Sequence, residues 1–239
     1  MIDVHAPHGS THTLKDFLIH MTAICLGLLI AIALEQSVEY IHHSHERNNL
    51  RDDLRAQAEE QIRLLHQNQL VCAESVAWSR AILEAGRHAT PAGGFVTYVL
   101  PSRKGGPSLQ VLANGVWTAA KSSGGIALLS RDEIVTWDQI DYLAQITDKS
   151  FQDREVALQK LYGLLDRTDS SAAPGATVHL TTADRDEQVR DLGSLIEATW
   201  MIERNSALWE GADQAVLHGA TTSSAMTAYE GRALKAMPK

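Results

Sequence analysis

Residues 17–34 read FLIHMTAICLGLLIAIAL, a run with no Asp, Glu, Lys or Arg and a single histidine, His20. An apolar run of this length covers the hydrocarbon core of a bilayer at helical rise, whereas buried core helices of soluble domains are usually shorter and more interrupted by polar positions. Lys15 and Asp16 precede it; Glu35, Glu39 and a His/Arg-rich stretch follow it. Ala31-Ile32-Ala33 has the small-x-small form of a signal cleavage site. Against cleavage, the leader before the run is long and holds one lysine, and the helical pattern runs past Ala33 without a turn signal. The expectation is an uncleaved anchor: a polar tail at 1–16, a transmembrane helix at 17–34, and a domain tethered behind it. The lipid bilayer is then the first partner.

Within the run Ala23, Gly27 and Ala31 recur every four residues, and Glu35 and Glu39 continue that stripe. Small residues at this spacing let helix backbones approach closely in lipid, where packing drives association. The stripe predicts self-association or docking on a partner membrane helix. His20 lies about one turn inside the run, where an ionisable group faces protein or the headgroups rather than lipid. A haem or pigment ligand is the sharper alternative there, a hydrogen-bonded interfacial histidine the simpler one.

The formal charge is −8 and the basic residues form no long stripe. Nucleic acid, which demands a positive footprint, is therefore excluded as a partner. Cys25 lies in the apolar run and Cys72 is alone in the rest, so no disulfide staples the domain; Cys72 reads as a small buried hydrophobe.

Behind the anchor the chain reads as helix throughout. Residues 35–85 contain neither proline nor glycine. Leu50, Leu54, Ala58, Ile62, Leu65, Gln69, Cys72 and Val76 recur at steps of three and four, the mark of an amphipathic helix, with Gly86 as its C-terminal stop. Proline and glycine then crowd residues 87–108. Inside that stretch Phe95 to Leu100 has strand-like content without an evident pairing partner, so it is expected to be an ordered loop on the bundle. Further helices are expected at 109–121, capped by Ser108; at 131–167, opened by the capping box of Ser130 and Glu133; and at 183–218, capped by Thr182. Residues 169–181 read as loop and 220–239 as a flexible tail. The fold class is all-α: one N-terminal transmembrane helix continuing into a long amphipathic helix and a membrane-tethered antiparallel bundle over 35–219.

Few motifs carry chemistry. His5, His8 and His12 lie in the tail; His42, His43 and His45 follow the anchor. His42 and His45 share a helix face and are the candidate ligands for zinc or copper, set against a polar collar among headgroups. Glu39-Tyr40-Ile41-His42 has the Glu-x-x-His form of di-iron bundles, but those need a second copy, and the sequence holds none. Ser122-Ser123-Gly124-Gly125 is not a nucleophile elbow, and no Walker loop or GxGxxG follows a strand. Trp117, Trp137, Trp200 and Trp209 fall on or beside apolar stripes and read as core. Neither an enzyme nor a cofactor is expected.

The segment AICLGLLIAIALEQSVEYIHHSHERNNLRDDL, through Gly27, Leu29, Ile30, Ala31, Leu34, Glu35, Gln36, Glu39 and Asp53-Leu54, resembles an uncharacterised family of bacterial single-pass membrane proteins. The His-rich opening and the stretch from Val116 to Gly124 resemble its acidobacterial form. The resemblance implies a cytoplasmic tail and an exported, periplasmic domain on the inner membrane, and implies no activity. Charge alone points the other way, since Arg47, Arg51 and Arg55 follow the anchor and only Lys15 precedes it. The expected function is a non-catalytic scaffold or accessory subunit of an envelope assembly. A helical sensor with a pocket near the tryptophans and a histidine-based metal protein are the alternatives.

Overall fold

The computed structural model describes residues 14–103, 108–110, 112–168, 170, 173, 175–220 and 222–237. The tail histidines His5, His8 and His12 lie outside the described residues. The chain divides into two compact units, Met1–Asn49 and Leu50–Lys239. The fold is all-α with one small two-stranded sheet.

The described part of the first unit belongs to a single helix, α1 (Leu14–His88). Two of its hydroxyls fold back on the helix itself. Thr22 Oγ1 donates to the Leu18 carbonyl at 2.8 Å, and Ser37 Oγ donates to Ala33 at 2.7 Å. No donor from these side chains is left to face an apolar medium.

The second unit contains the rest of α1, then β1 (Phe95–Val99), α2 (Gly115–Ser123), a 3₁₀ turn at Gly125–Leu128, α3 (Arg131–Arg167), β2 (Thr177–Thr181), α4 (Thr182–Leu217) and α5 (Ser223–Ala236). Here the buried seam of α1 runs Leu54, Ala58, Gln61, Leu65, Asn68, Cys72, Ser75, Ser79, Ile82 and Gly86. Steps of four and three alternate without a break, which is the seven-residue repeat of a supercoiled seam. The expected stripe therefore slips by one residue at three places. Ile62, Gln69 and Val76 are half-buried, while Gln61, Asn68 and Ser75 take the inside.

Two of these polar residues are inside because they hold the chain that crosses α1. Asn68 donates Nδ2 to the Gln110 carbonyl at 2.9 Å and accepts the Gln110 N–H at 2.7 Å. Gln61 donates to Asn114 Oδ1 at 2.7 Å, Gln57 accepts the Val116 N–H at 2.8 Å, and Trp78 Nε1 donates to the Pro101 carbonyl at 3.0 Å. These bonds explain why the expected helix at 109–121 begins only at Gly115. Asn68 uses both backbone groups of Gln110, so the chain stays extended there, and Ser108 caps nothing.

The ribbon corrects a second expectation. Phe95–Val99 is a strand, paired antiparallel with Thr177–Thr181, with Val96 opposite Leu180 and Tyr98 opposite Val178. These four side chains point inward and join Trp78, Ile82, Leu161 and Leu192 in one of two hydrophobic clusters. Gly86 is not the stop of α1, which continues to His88. Its carbonyl instead accepts both Nε and Nη2 of Arg185, at 3.3 and 3.0 Å.

The capping box at α3 forms as read, with Ser130 and Glu133 satisfying each other's amides. Glu133 also receives Arg51, whose Nε and Nη2 reach its two oxygens at 2.7 and 3.0 Å and tie α1 to α3. Helix α4 is capped by Thr181, one residue before the expected Thr182. Residues 223–236, expected to be flexible tail, form α5 on α4. The approach is close: a Cβ at Gly211 would stand 2.6 Å from Glu230 Cα. Trp117, Trp137 and Trp209 are core, whereas Trp200 is 50 % exposed, a correction to its assignment as core. It faces outward because the inner face of α4 is taken by Leu195, Thr199 and Ile202.

Candidate functional site

Among the described residues one helix, α1, is long and apolar enough to cross a membrane, and none of its most apolar window is buried inside the protein. Phe17, Leu18, Ile24, Leu28, Leu29 and Leu34 are all more than half exposed. An apolar surface this large on a soluble monomer marks an interaction with lipid or protein. Ala23, Gly27 and Ala31 lie on it at four-residue steps, and a Cβ at Gly27 would meet nothing within 4 Å. The face read as a packing surface is thus open. His20 lies exposed in the same segment.

The histidines that follow the apolar run form no cluster. His42 Nε2 lies 3.1 Å from Glu46, one turn on, and His45 is exposed. Among the described residues no three His, Cys, Asp or Glu side chains come together as a metal site.

The interior of the bundle unit is unusually polar. Arg154 on α3 is 4 % exposed; its Nη1 pairs with Glu155 at 2.7 Å and its Nη2 lies 3.5 Å from Ser75 Oγ. Burial lowers its pKa. Asn205 on α4 donates to Ser150 Oγ at 3.2 Å. Cys72 sits in the same interior, and burial pushes its thiol up to about 12 with a smaller push from Glu203. A thiol held protonated in this way is inert, as the reading of Cys72 as a buried hydrophobe requires.

Helix α4 also carries polar groups with no partner. Ser206 Oγ, Trp209 Nε1 and both carboxyl oxygens of Asp213 are buried and accept or donate no hydrogen bond. Their spacing of three and four residues sets them along one face of the helix. Asp213 is fully buried, and its carboxyl is raised well above the ordinary range, first by burial and then by the charge of Glu210. Burial without a hydrogen-bond partner disfavours the charged form of such a carboxyl.

Two of the cavities adjoin groups with shifted carboxyls. One, of about 230 Å³, is lined by Arg51, Arg55, Glu133, Thr136, Trp137 and Val216, and so lies beside one of the core tryptophans. The Arg51 hydrogen bond, opposed by burial and helped by the Ser130 bonds, holds the Glu133 carboxyl down to about 2. The other, of about 280 Å³, lies between α1, α4 and α5 and includes His66, Glu203 and Glu210. His66 Nε2 is 2.9 Å from Glu210, and Gln69 reaches the other Glu210 oxygen at 3.4 Å. Burial raises the Glu203 carboxyl, and the field of Arg80 opposes this.

Sequence reasoning did not find Gln61, Asn68, Arg154 or Asp213. For the first two a signal existed, because they fall on a strict seven-residue repeat with Leu54 and Ile82. For Arg154 and Asp213 the chain offers none, since charged residues in a helix read as a solvated face. No protein-family profile matches this chain, and neither a curated protein nor a solved structure matches it.

Proposed function

We propose that this protein is a non-catalytic, membrane-anchored scaffold or accessory subunit of a bacterial envelope assembly. The wholly exposed apolar segment with its open Ala23/Gly27/Ala31 face carries this reading. A surface of that kind needs lipid around it, and a face of small residues gives a second helix the closest approach. The bundle unit then serves as the part presented to other proteins. Its placement on the periplasmic side of the inner membrane follows the family resemblance, in which the exported domain lies behind the anchor.

The test is extraction and cross-linking in native membranes. The protein stays with the vesicles in alkaline carbonate, and a membrane-level cross-link captures a second copy or a partner. Gly27→Leu lowers the cross-linked fraction several-fold, while Leu28→Ile, beside the packing face, leaves it unchanged. Release by carbonate, or equal cross-linking by both variants, ends the proposal.

A further inference from the structure

The face of α4 that α5 covers continues past the end of α5. Ala207 lines the cavity under α5, Gly211 lies against the α5 backbone at Tyr229 and Glu230, and the His218 ring stacks on Tyr229 at 5.6 Å. At about 3.6 residues per turn, eighteen residues make five turns. Eighteen residues before these three stand Val189, Gly193 and Trp200. They therefore lie on the same side of α4, about 27 Å along its axis. Helix α5 ends at Ala236, beside Glu203 and Ala207, and this earlier half of the face is open. Val189 is 43 % and Trp200 50 % exposed, and a Cβ on Gly193 would meet nothing within 4 Å. Half-buried Ile196 completes the stripe, whose steps of four, three and four are those of a helix-packing seam. Exposed Arg190 and Glu197 stand along one edge of it, and among the described residues neither has an ion-pair partner in its own chain.

We propose that this open half of the face binds the same half of α4 in a second copy of the chain, with the two helices antiparallel. The stripe is complementary to itself in that pairing. Setting Gly193 against Ile196 of the second copy also sets Val189 against Trp200 of the second copy, because both pairs share one midpoint. Each pair places a larger side chain on a smaller one, and the missing side chain at Gly193 lets the helices approach as Gly211 does under α5. Arg190 then comes within reach of Glu197 of the second copy, and two-fold symmetry forms that pair twice. Parallel pairing would set Arg190 beside Arg190 and Glu197 beside Glu197, so charge selects the antiparallel form. The contact uses no residue of the apolar segment, so it stands or falls apart from the scaffold reading.

The experiment uses the full chain in mild detergent, with Cys25→Ser to remove the exposed thiol; Cys72 is buried. Gly193→Cys is treated with a short bismaleimide, and Gln159→Cys, exposed on α3, serves as the comparison. The expected result is a covalent dimer from Gly193→Cys, at least five-fold more than from Gln159→Cys. Arg190→Glu or Glu197→Arg, added singly, lowers the dimer at least five-fold by setting like charges together. The double reversal restores it, and Gly27→Leu leaves it unchanged. Circular dichroism confirms that each variant is folded. The proposal is overturned if the two cysteine positions cross-link equally, if the double reversal fails to restore the dimer, or if Gly27→Leu abolishes it.

Discussion

Two stretches of one helix solve opposite problems. Residues 17–34 of α1 are almost wholly apolar and wholly exposed within the protein. Residues 54–86 of the same helix are mixed, yet their seam is buried, and Gln61, Asn68, Ser75 and Ser79 stand among its innermost positions. Burial therefore does not follow hydrophobicity along this helix. It follows the availability of partners. In the first stretch the one hydroxyl, Thr22, is returned to the helix backbone and the apolar surface is left for an outside medium. In the second, polar side chains go inside where a crossing backbone or a neighbouring helix can use them.

That contrast can be broken from either side. The largest effect is expected in the exposed stretch. Leu28→Arg places a guanidinium at the centre of the apolar run and costs about 3 kcal/mol of insertion. The protein then shifts from the membrane to the soluble fraction on carbonate extraction. In the buried stretch, Asn68→Leu is the hydrophobic choice and the wrong one. It leaves both the N–H and the carbonyl of Gln110 without their partner and costs about 2 kcal/mol. Chemical denaturation of the bundle reads this directly, and hydrogen exchange at the Gln110 amide rises with it.

Asp213 sharpens the rule, because it is a buried polar group for which no partner was provided. Asp213→Leu is expected to stabilise the fold by about 1–2 kcal/mol at neutral pH. The sign follows from linkage. The folded carboxyl titrates well above its unfolded value, so below about pH 4 both states hold the proton and the parent carries no pH-dependent penalty. As pH rises, the unfolded state releases its proton and the folded state keeps it. Parent stability then falls until the raised pKa is passed. The leucine variant lacks this decline, so its advantage grows from about pH 4 upward in parallel denaturation curves.

The smallest effect is expected at the Arg51–Glu133 pair, where the Arg51 side chain is 39 % exposed. Arg51→Met costs about 1 kcal/mol at neutral pH, the upper end for an ion pair near the surface. Here the folded carboxyl lies below its unfolded value, so its contribution is present above about pH 4 and is lost as pH falls toward about 2. The difference between parent and Arg51→Met closes over that acid range.

Where the signal was local, it could be read in the chain. The apolar run, the Ser130–Glu133 box, and the helical character of 131–167 and 182–217 depend on residues within a turn or two of each other. Where the signal lay in pairing, it could not. Phe95–Val99 reads as a strand without a partner because its partner, Thr177–Thr181, is a short alternation in a Ser/Ala/Gly-rich stretch more than seventy residues away. α5 reads as tail because its composition is small and polar. Its backbone at Tyr229 and Glu230 comes against α4 where Gly211 lacks a Cβ. The apolar stripe through Ile62 and Val76 lies one residue off the buried seam, because Gln61 and Asn68 bond the crossing chain and Ser75 faces Arg154 inside.

The sequence by itself determined that this chain has one span suited to lipid and a set of helices behind it, because length, composition and caps act within a few residues. Only the tertiary structure decided which polar side chains go inside, where α2 begins, and that α5 lies against α4 at Gly211. Those outcomes depend on hydrogen-bond partners and walls supplied from distant parts of the chain, and a buried polar group is stable only where such a partner is in place.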